Sequence, residues 1–118
     1  MLKHISYSLP LDTESETPEV PVKVPRGSQI LAFWDDSHHG PGFHLVLLGD
    51  SAQPLEEITL VFFSPTSIFP EQKSHHYEYL GDTCVDGHRY LVWKRSKVDP
   101  FAIQLAGREA GTQSIPRR

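Results

Sequence analysis

Apolar residues recur along this chain at intervals of two, in short runs broken by turn residues, and no stretch before residue 97 sustains helical spacing. Residues 4–10, HISYSLP, alternate Ile5, Tyr7 and Leu9 against His4, Ser6 and Ser8, the period of a strand with one buried face. VPVKV places Val20, Val22 and Val24 on one face. Pro21 has no N–H to give to a ladder, which assigns that strand to a sheet edge. Pro25-Arg26-Gly27 then turns the chain. SQILAFW (28–34), FHLVLLG (43–49) and ITLVFFS (58–64) are apolar on both faces, so each predicts a strand covered from two sides. With barely one helix available, sheet-on-sheet packing or a second subunit must supply that cover.

The last strand pair carries the most explicit local signal. Asp86-Gly87 suits the two positive-φ positions of a type I′ hairpin turn. Direct pairing outward from it sets Cys84 against Arg89, Leu80 against Trp93, Tyr79 against Lys94 and Glu78 against Arg95, matching apolar with apolar and acid with base. SPTSIFPEQKS (64–74), with Pro65 and Pro70, predicts an irregular loop pinned by Ile68 and Phe69, and LDTESETPE (11–19) an acidic loop. Beyond residue 95, Asp99 as N-cap, Pro100 at the first helical position and a Gly107 stop predict one short helix over 99–108, followed by a flexible tail. The expected fold is mainly β, a β-rich α+β chain. A small antiparallel sheet or sandwich occupies residues 1–95, with the short helix and basic tail over 96–118.

Composition narrows the function classes. A chain of 118 residues is expected to form one domain. Its apolar runs are too short to cross a bilayer as helices, and MLKHISYSLP lacks the apolar core and cleavage site of a secretory signal, so no membrane partner and a cytoplasmic location are expected. A single cysteine, Cys84, cannot close an internal disulfide or build a thiolate zinc cage, which fits a reducing compartment. Residues 1–95 carry 7 Lys+Arg against 13 Asp+Glu, net −6, whereas residues 96–118 carry 4 against 2, net +2. Phosphate backbones demand a basic patch, so nucleic acid is not an expected partner of the acidic core.

No motif names a reaction. LVLLGDS (45–51) resembles the first block of the Gly-Asp-Ser serine hydrolases. The chain has no asparagine for an oxyanion contact, and its Asp-x-x-His spacings, Asp35 to His38 and Asp36 to His39, precede Ser51. A strand running into a polar turn is the expectation. Seven histidines include two adjacent pairs, His38-His39 in DDSHHG and His75-His76 in SHHYE. Neighbouring residues of an extended strand point to opposite faces, so each pair offers one metal ligand at most, and no metal or cofactor is expected. Cys84 lacks a paired base and is expected to be a packing residue, not a nucleophile. Most aromatic residues fall in the strand core. Trp34, beside the acidic and histidine-rich residues Asp35, Asp36, His38 and His39, and Phe69, in the proline-rich loop near His75 and His76, are the expected exposed anchors of a binding surface.

SYSLPL, VPVKVPRGSQILAF, PLEEITLVFF and YEYLGDTCVDGHRYLVWK together resemble a family of short bacteriophage-encoded accessory proteins of unassigned function. In that family a Pro-(Lys/Arg)-Gly turn precedes an Ile-Leu strand, and a Tyr-(Leu/Ile)-Gly-(Asp/Thr)-Thr hairpin closes the domain. The resemblance spans residues 5–95, rests on structural turns and strands, and brings no catalytic residue. It implies a viral accessory protein acting in the host cytoplasm. Together with the acidic charge, it leads to a non-enzymatic, self-associating protein that binds a host protein and inhibits or redirects it. Two alternatives stay open: a binder of a nucleotide-like small molecule at a dimer interface, and a metal-dependent enzyme joining Asp36, His38 and His39 to His75 or His76.

Overall fold

The computed structural model describes residues 1–70 and 75–97, which form β1 Leu2–Pro10, β2 Glu19–Pro25, β3 Gln29–Asp35, β4 Gly42–Asp50, β5 Leu55–Phe63, β6 His75–Val85 and β7 His88–Lys97. The strands build two antiparallel sheets, ordered β1-β4-β3 and β2-β5-β7-β6. Inward residues of β4 (Phe43, Leu45, Leu47) meet Val22 and Val24 of β2, Ile58, Leu60 and Phe62 of β5, and Tyr90 and Val92 of β7 in one buried cluster. Phe43 and Phe62 pack with ring centroids 4.9 Å apart, and Tyr90 meets Phe62 edge-on at 5.6 Å. Period-two alternation therefore yields the expected mainly β fold, and of the two expected forms, single sheet or sandwich, the structure has two antiparallel sheets. The helix expected over 99–108 and the basic tail lie outside the described residues. Among the described residues, no helix is long and apolar enough to cross a membrane.

The edges follow from backbone chemistry. Phe62 N–H donates to Pro18 O and Arg26 N–H to Pro54 O, both at 2.9 Å, which sets the phase of the β2–β5 ladder. Antiparallel bonding alternates, so Val20, Val22 and Val24 bond inward to β5 while Glu19, Pro21, Lys23 and Pro25 face away. Pro21 thus sits on an edge with its missing N–H outward, as the sequence predicts. Ser28 N–H bonds to Pro25 O at 3.1 Å and Gly27 has φ 83°, closing the Pro-Arg-Gly turn. β4 runs into the polar turn expected after Gly49: Asp50 Oδ1 accepts from Ala52 N–H at 3.0 Å.

The β6–β7 hairpin begins as predicted and then departs from the expected register. Asp86 (φ 49°) and Gly87 (φ 81°) form the turn, and Cys84 faces Arg89. Between Tyr79 and Gly81 the register slips, leaving Leu80 without a cross-strand partner. Tyr79 then faces Trp93, Glu78 faces Lys94 and Tyr77 faces Arg95. The extra residue is a β-bulge: Gly81 adopts φ 142°, and Leu80 packs against the shared core. Cys84 is exposed, not packed as expected.

Strand order also explains the long 64–74 connection. β5 and β6 both pair with β7, one on each side, so the chain leaving Phe63 must cross the outer face of β7 to reach His75. Phe69 makes the crossing, with ring centroids 5.3 Å from Phe63, 4.9 Å from Tyr77 and 4.8 Å from Trp93. Outward Val61 and Phe63 are buried. The two-sided apolar pattern of β5 is thus answered by the opposite sheet within and by this crossing loop without. Ile68, expected to help pin the loop, is instead 92% exposed.

Candidate functional site

Loops 11–18, 36–41 and 64–70 and the turn at 86–87 all start from one end of the sandwich, where β1 passes to β2, β3 to β4 and β6 to β7. A groove of about 1020 Å³ opens there. One wall is the acidic loop, with Glu14 and Glu16; the other carries Ser64, Pro65, Ser67 and Ile68; Val61, Tyr77 and Arg95 lie beneath, and Arg89 stands at the hairpin tip. The acidic loop is shaped by its own residues: Asp12 Oδ1 accepts from Glu14 N–H at 3.1 Å, Asp12 O accepts from Ser15 N–H at 3.2 Å, and buried Leu11 anchors its start. Opposite, the Ser64 hydroxyl accepts from Thr66 N–H at 3.2 Å, and Ser64 O accepts from Ser67 N–H at 3.0 Å, holding Ile68 outward.

The groove's cations are already partnered. Arg95 forks onto Glu19 through Nη1 (3.1 Å) and Nη2 (2.8 Å), a bidentate pair that raises the guanidinium pKa further. Arg89 Nη2 donates to Asp82 Oδ2 at 3.0 Å and is raised for the same reason. Among the described residues no cation pairs with Glu14 or Glu16. The groove therefore presents negative charge beside an exposed apolar side chain. Burial, then the nearby Asp12 carboxylate, raises the Tyr90 phenol pKa at its inner end.

A second polar cluster lies on the outer face of the three-stranded sheet. Ser8 and His44 are direct cross-strand neighbours on β1 and β4, and Trp34 faces His44 from β3. The Ser8 hydroxyl donates to Asp36 Oδ2 at 2.5 Å. The Ser8 hydroxyl, its one proton given to Asp36, also lies 3.4 Å from His44 Nδ1. The same Nδ1 lies 3.8 Å from Asp36 Oδ2, and His38 Nε2 lies 3.9 Å from Asp36 Oδ1. The Ser8 hydroxyl, helped by His38 and His44, holds the Asp36 carboxyl below the usual carboxylate range. Trp34 stacks on His44 with centroids 4.8 Å apart. Gly42 permits this convergence, since a Cβ there would come within 2.8 Å of Leu9 O and 3.0 Å of Asp36 O. Chemically, Ser8 is a clamp on the Asp36 carboxylate.

No family model, curated protein or solved structure matches the chain.

The residues expected to form one binding surface divide between two places. Trp34 (47% exposed), Asp35, Asp36, His38 and His39 gather at the end of β3 and in the following loop. Asp35 Oδ1 accepts from the Ser37 hydroxyl and, at 3.4 Å, from Asp86 N–H, so this carboxylate braces the loop against the hairpin turn. Phe69 lies on the outer face of the four-stranded sheet. Its ring is 41% exposed yet packed on three others, which makes it a clasp of the fold as much as a surface anchor. His75 and His76 begin β6 and stand about 30 Å along that strand from Val85 and the turn that touches Asp35. The fold thus keeps the two histidine pairs apart, and the metal site joining Asp36, His38 and His39 to His75 or His76 is not built. Among the described residues no three His, Cys, Asp or Glu side chains converge on a metal position. Ser8, His44, Glu14 and Glu16 escaped the sequence reading as site residues. The first two become neighbours only through the β1–β4 register, and the acidic loop was legible as charge but not as a wall.

Proposed function

We propose that this chain is a non-enzymatic phage accessory protein whose loop-end groove binds a basic, partly apolar segment of a host protein and so blocks or redirects that protein. The observation that carries the reading is the groove itself: Glu14 and Glu16, with no cation paired to them among the described residues, face a wall that holds Ile68 out in solvent. Exposed carboxylates steer a cationic partner toward the surface, and an exposed aliphatic side chain gains free energy only when a partner covers it. The viral setting is supported by the four segments of sequence resemblance.

The test is capture from a lysate of host cells by the immobilised full chain and by an E14K/E16K variant. A protein with a basic surface, retained by the parent chain, lost by the variant and released by salt, is the expected result. Equal capture by both chains, unaffected by salt, contradicts the reading.

A further inference from the structure

The strand edge at β1 differs from the other edges of the sandwich. Leu11 N–H donates to Pro41 O at 3.0 Å, and on the other flank of β4 Asp36 N–H donates to Gly42 O at 3.0 Å. Both bonds set the same phase: Lys3, Ile5, Tyr7 and Leu9 bond to β4, while Leu2, His4, Ser6, Ser8 and Pro10 face away from it. Four of those five positions keep their donor, in an unbroken run from Leu2 to Ser8; Pro10, at the end of the strand, has none. The remaining edges each carry a device that blocks pairing. On β2, two of the four outward residues are Pro21 and Pro25. β3 is interrupted by a bulge between Ile30 and Ala32 and is closed against β6, where Phe33 lies over Gly81 and Asp35 reaches Asp86. β6 has its own bulge and sets out the charges Glu78 and Asp82.

Charge along β1 selects the occupant and its direction. Lys3 and His4 stand near one end, with no carboxylate paired to Lys3 among the described residues; the Asp36 carboxylate held by Ser8, and Asp12 just beyond Leu11, stand at the other. Antiparallel pairing of two copies brings each basic end beside the partner's acidic end, whereas parallel pairing sets like against like. Ile5, Tyr7 and Leu9 are half-buried on the inward side of this edge, and the Tyr7 hydroxyl reaches Lys23 O at 3.2 Å. A neighbouring strand would cover their exposed flanks. We propose that a second copy of this chain docks here, β1 against β1 about a two-fold axis, making one continuous sheet ordered β3-β4-β1-β1-β4-β3.

The experiment is sedimentation velocity of the full chain over an about hundredfold concentration range, beside S6P and S6K, with residue-resolved amide exchange. Ser6 is exposed and its N–H faces outward, so proline there breaks no β1–β4 bond. Lysine there sets two like charges close to the axis and keeps the backbone intact should S6P fail to fold. The expected result is a concentration-dependent dimer with slow exchange at His4, Ser6 and Ser8, weakened at least about tenfold in S6K and lost in S6P. A monomer at the highest concentration, or a dimer that S6K leaves unchanged, overturns the proposal. Protection of those amides in a monomer would give the edge to a segment of the same chain and overturns it too.

Discussion

At the scale of single residues, two charged side-chain arrangements give the surface its chemistry, and simple substitutions test both. Asp36 is held below its ordinary value first by the Ser8 hydroxyl and then by His38 and His44. A carboxyl whose folded pKa is depressed contributes stability that is fully present above its unfolded value and is lost as pH falls through the folded one. Stability is therefore expected to decline on acidification below the ordinary Asp value of 3.8, and Asp50, lowered by Ala52 N–H and then the terminal amine, adds to the same decline. In S8A the Asp36 carboxyl should titrate closer to its ordinary value, read by carbon-detected NMR; an unchanged titration would remove Ser8 from its role. The Arg95–Glu19 fork is half-exposed on its acidic side, so solvent screening limits it, and E19Q should lower unfolding stability by about 1 kcal/mol in urea titrations. Charge pattern alone suggested Glu78 as the partner of Arg95. The bulge at Leu80 hands Glu78 to Lys94 at 3.5 Å and leaves Arg95 for a carboxylate 76 residues away in sequence. Such a partner is invisible until strand order is known.

At the scale of elements, period two and turn chemistry made the strands legible. The Asp86-Gly87 turn and the edge position of Pro21 follow from backbone constraints that one or two residues carry by themselves. The bulge was not legible, because Gly81 in a strand signals either a bulge or a close approach, and only its φ of 142° and the register slip beside it identify the bulge. G81A is accordingly expected to cost about 1 kcal/mol or more, since alanine at φ 142° is strained; its Cβ, 3.5 Å from Phe33 Cζ, would make only an ordinary contact. The 64–70 crossing divides its two large apolar side chains between fold and surface. F69A should destabilise by about 1–3 kcal/mol, less than for a fully buried ring, whereas I68A should stay within about 0.5 kcal/mol. Chemical denaturation of the pair distinguishes a clasp from an exposed contact. Equal losses would mean that Ile68 is packed in solution.

At the scale of the whole molecule, apolar patterning predicted strands covered from two sides by a second sheet or a second subunit; β5 is so covered, whereas β3 leaves Leu31 and Trp34 exposed, and neither the order β2-β5-β7-β6 nor its loop-end groove could be derived from local signals. The candidate surface was half visible. Trp34, Asp35, Asp36, His38 and His39 do gather in space, while His75 and His76 stand a strand length away. Glu14, Glu16 and Ile68 come together because the β1–β2 and β5–β6 connections depart from the same end. The open edge of β1 is likewise a property of strand order and ladder phase combined. Binding through the groove and pairing through β1 use different surfaces, so E14K/E16K should leave the sedimentation profile unchanged and S6K should leave partner capture unchanged. The central claim is that the acidic loop and the Ile68 wall form the binding surface. Its most direct test is to titrate the captured partner into the isotope-labelled full chain and follow each backbone amide by NMR. Shifts concentrated at residues 13–19 and 64–68 are expected; shifts centred instead on Trp34, His38 and His44, or spread evenly with no focus, would contradict binding in the groove.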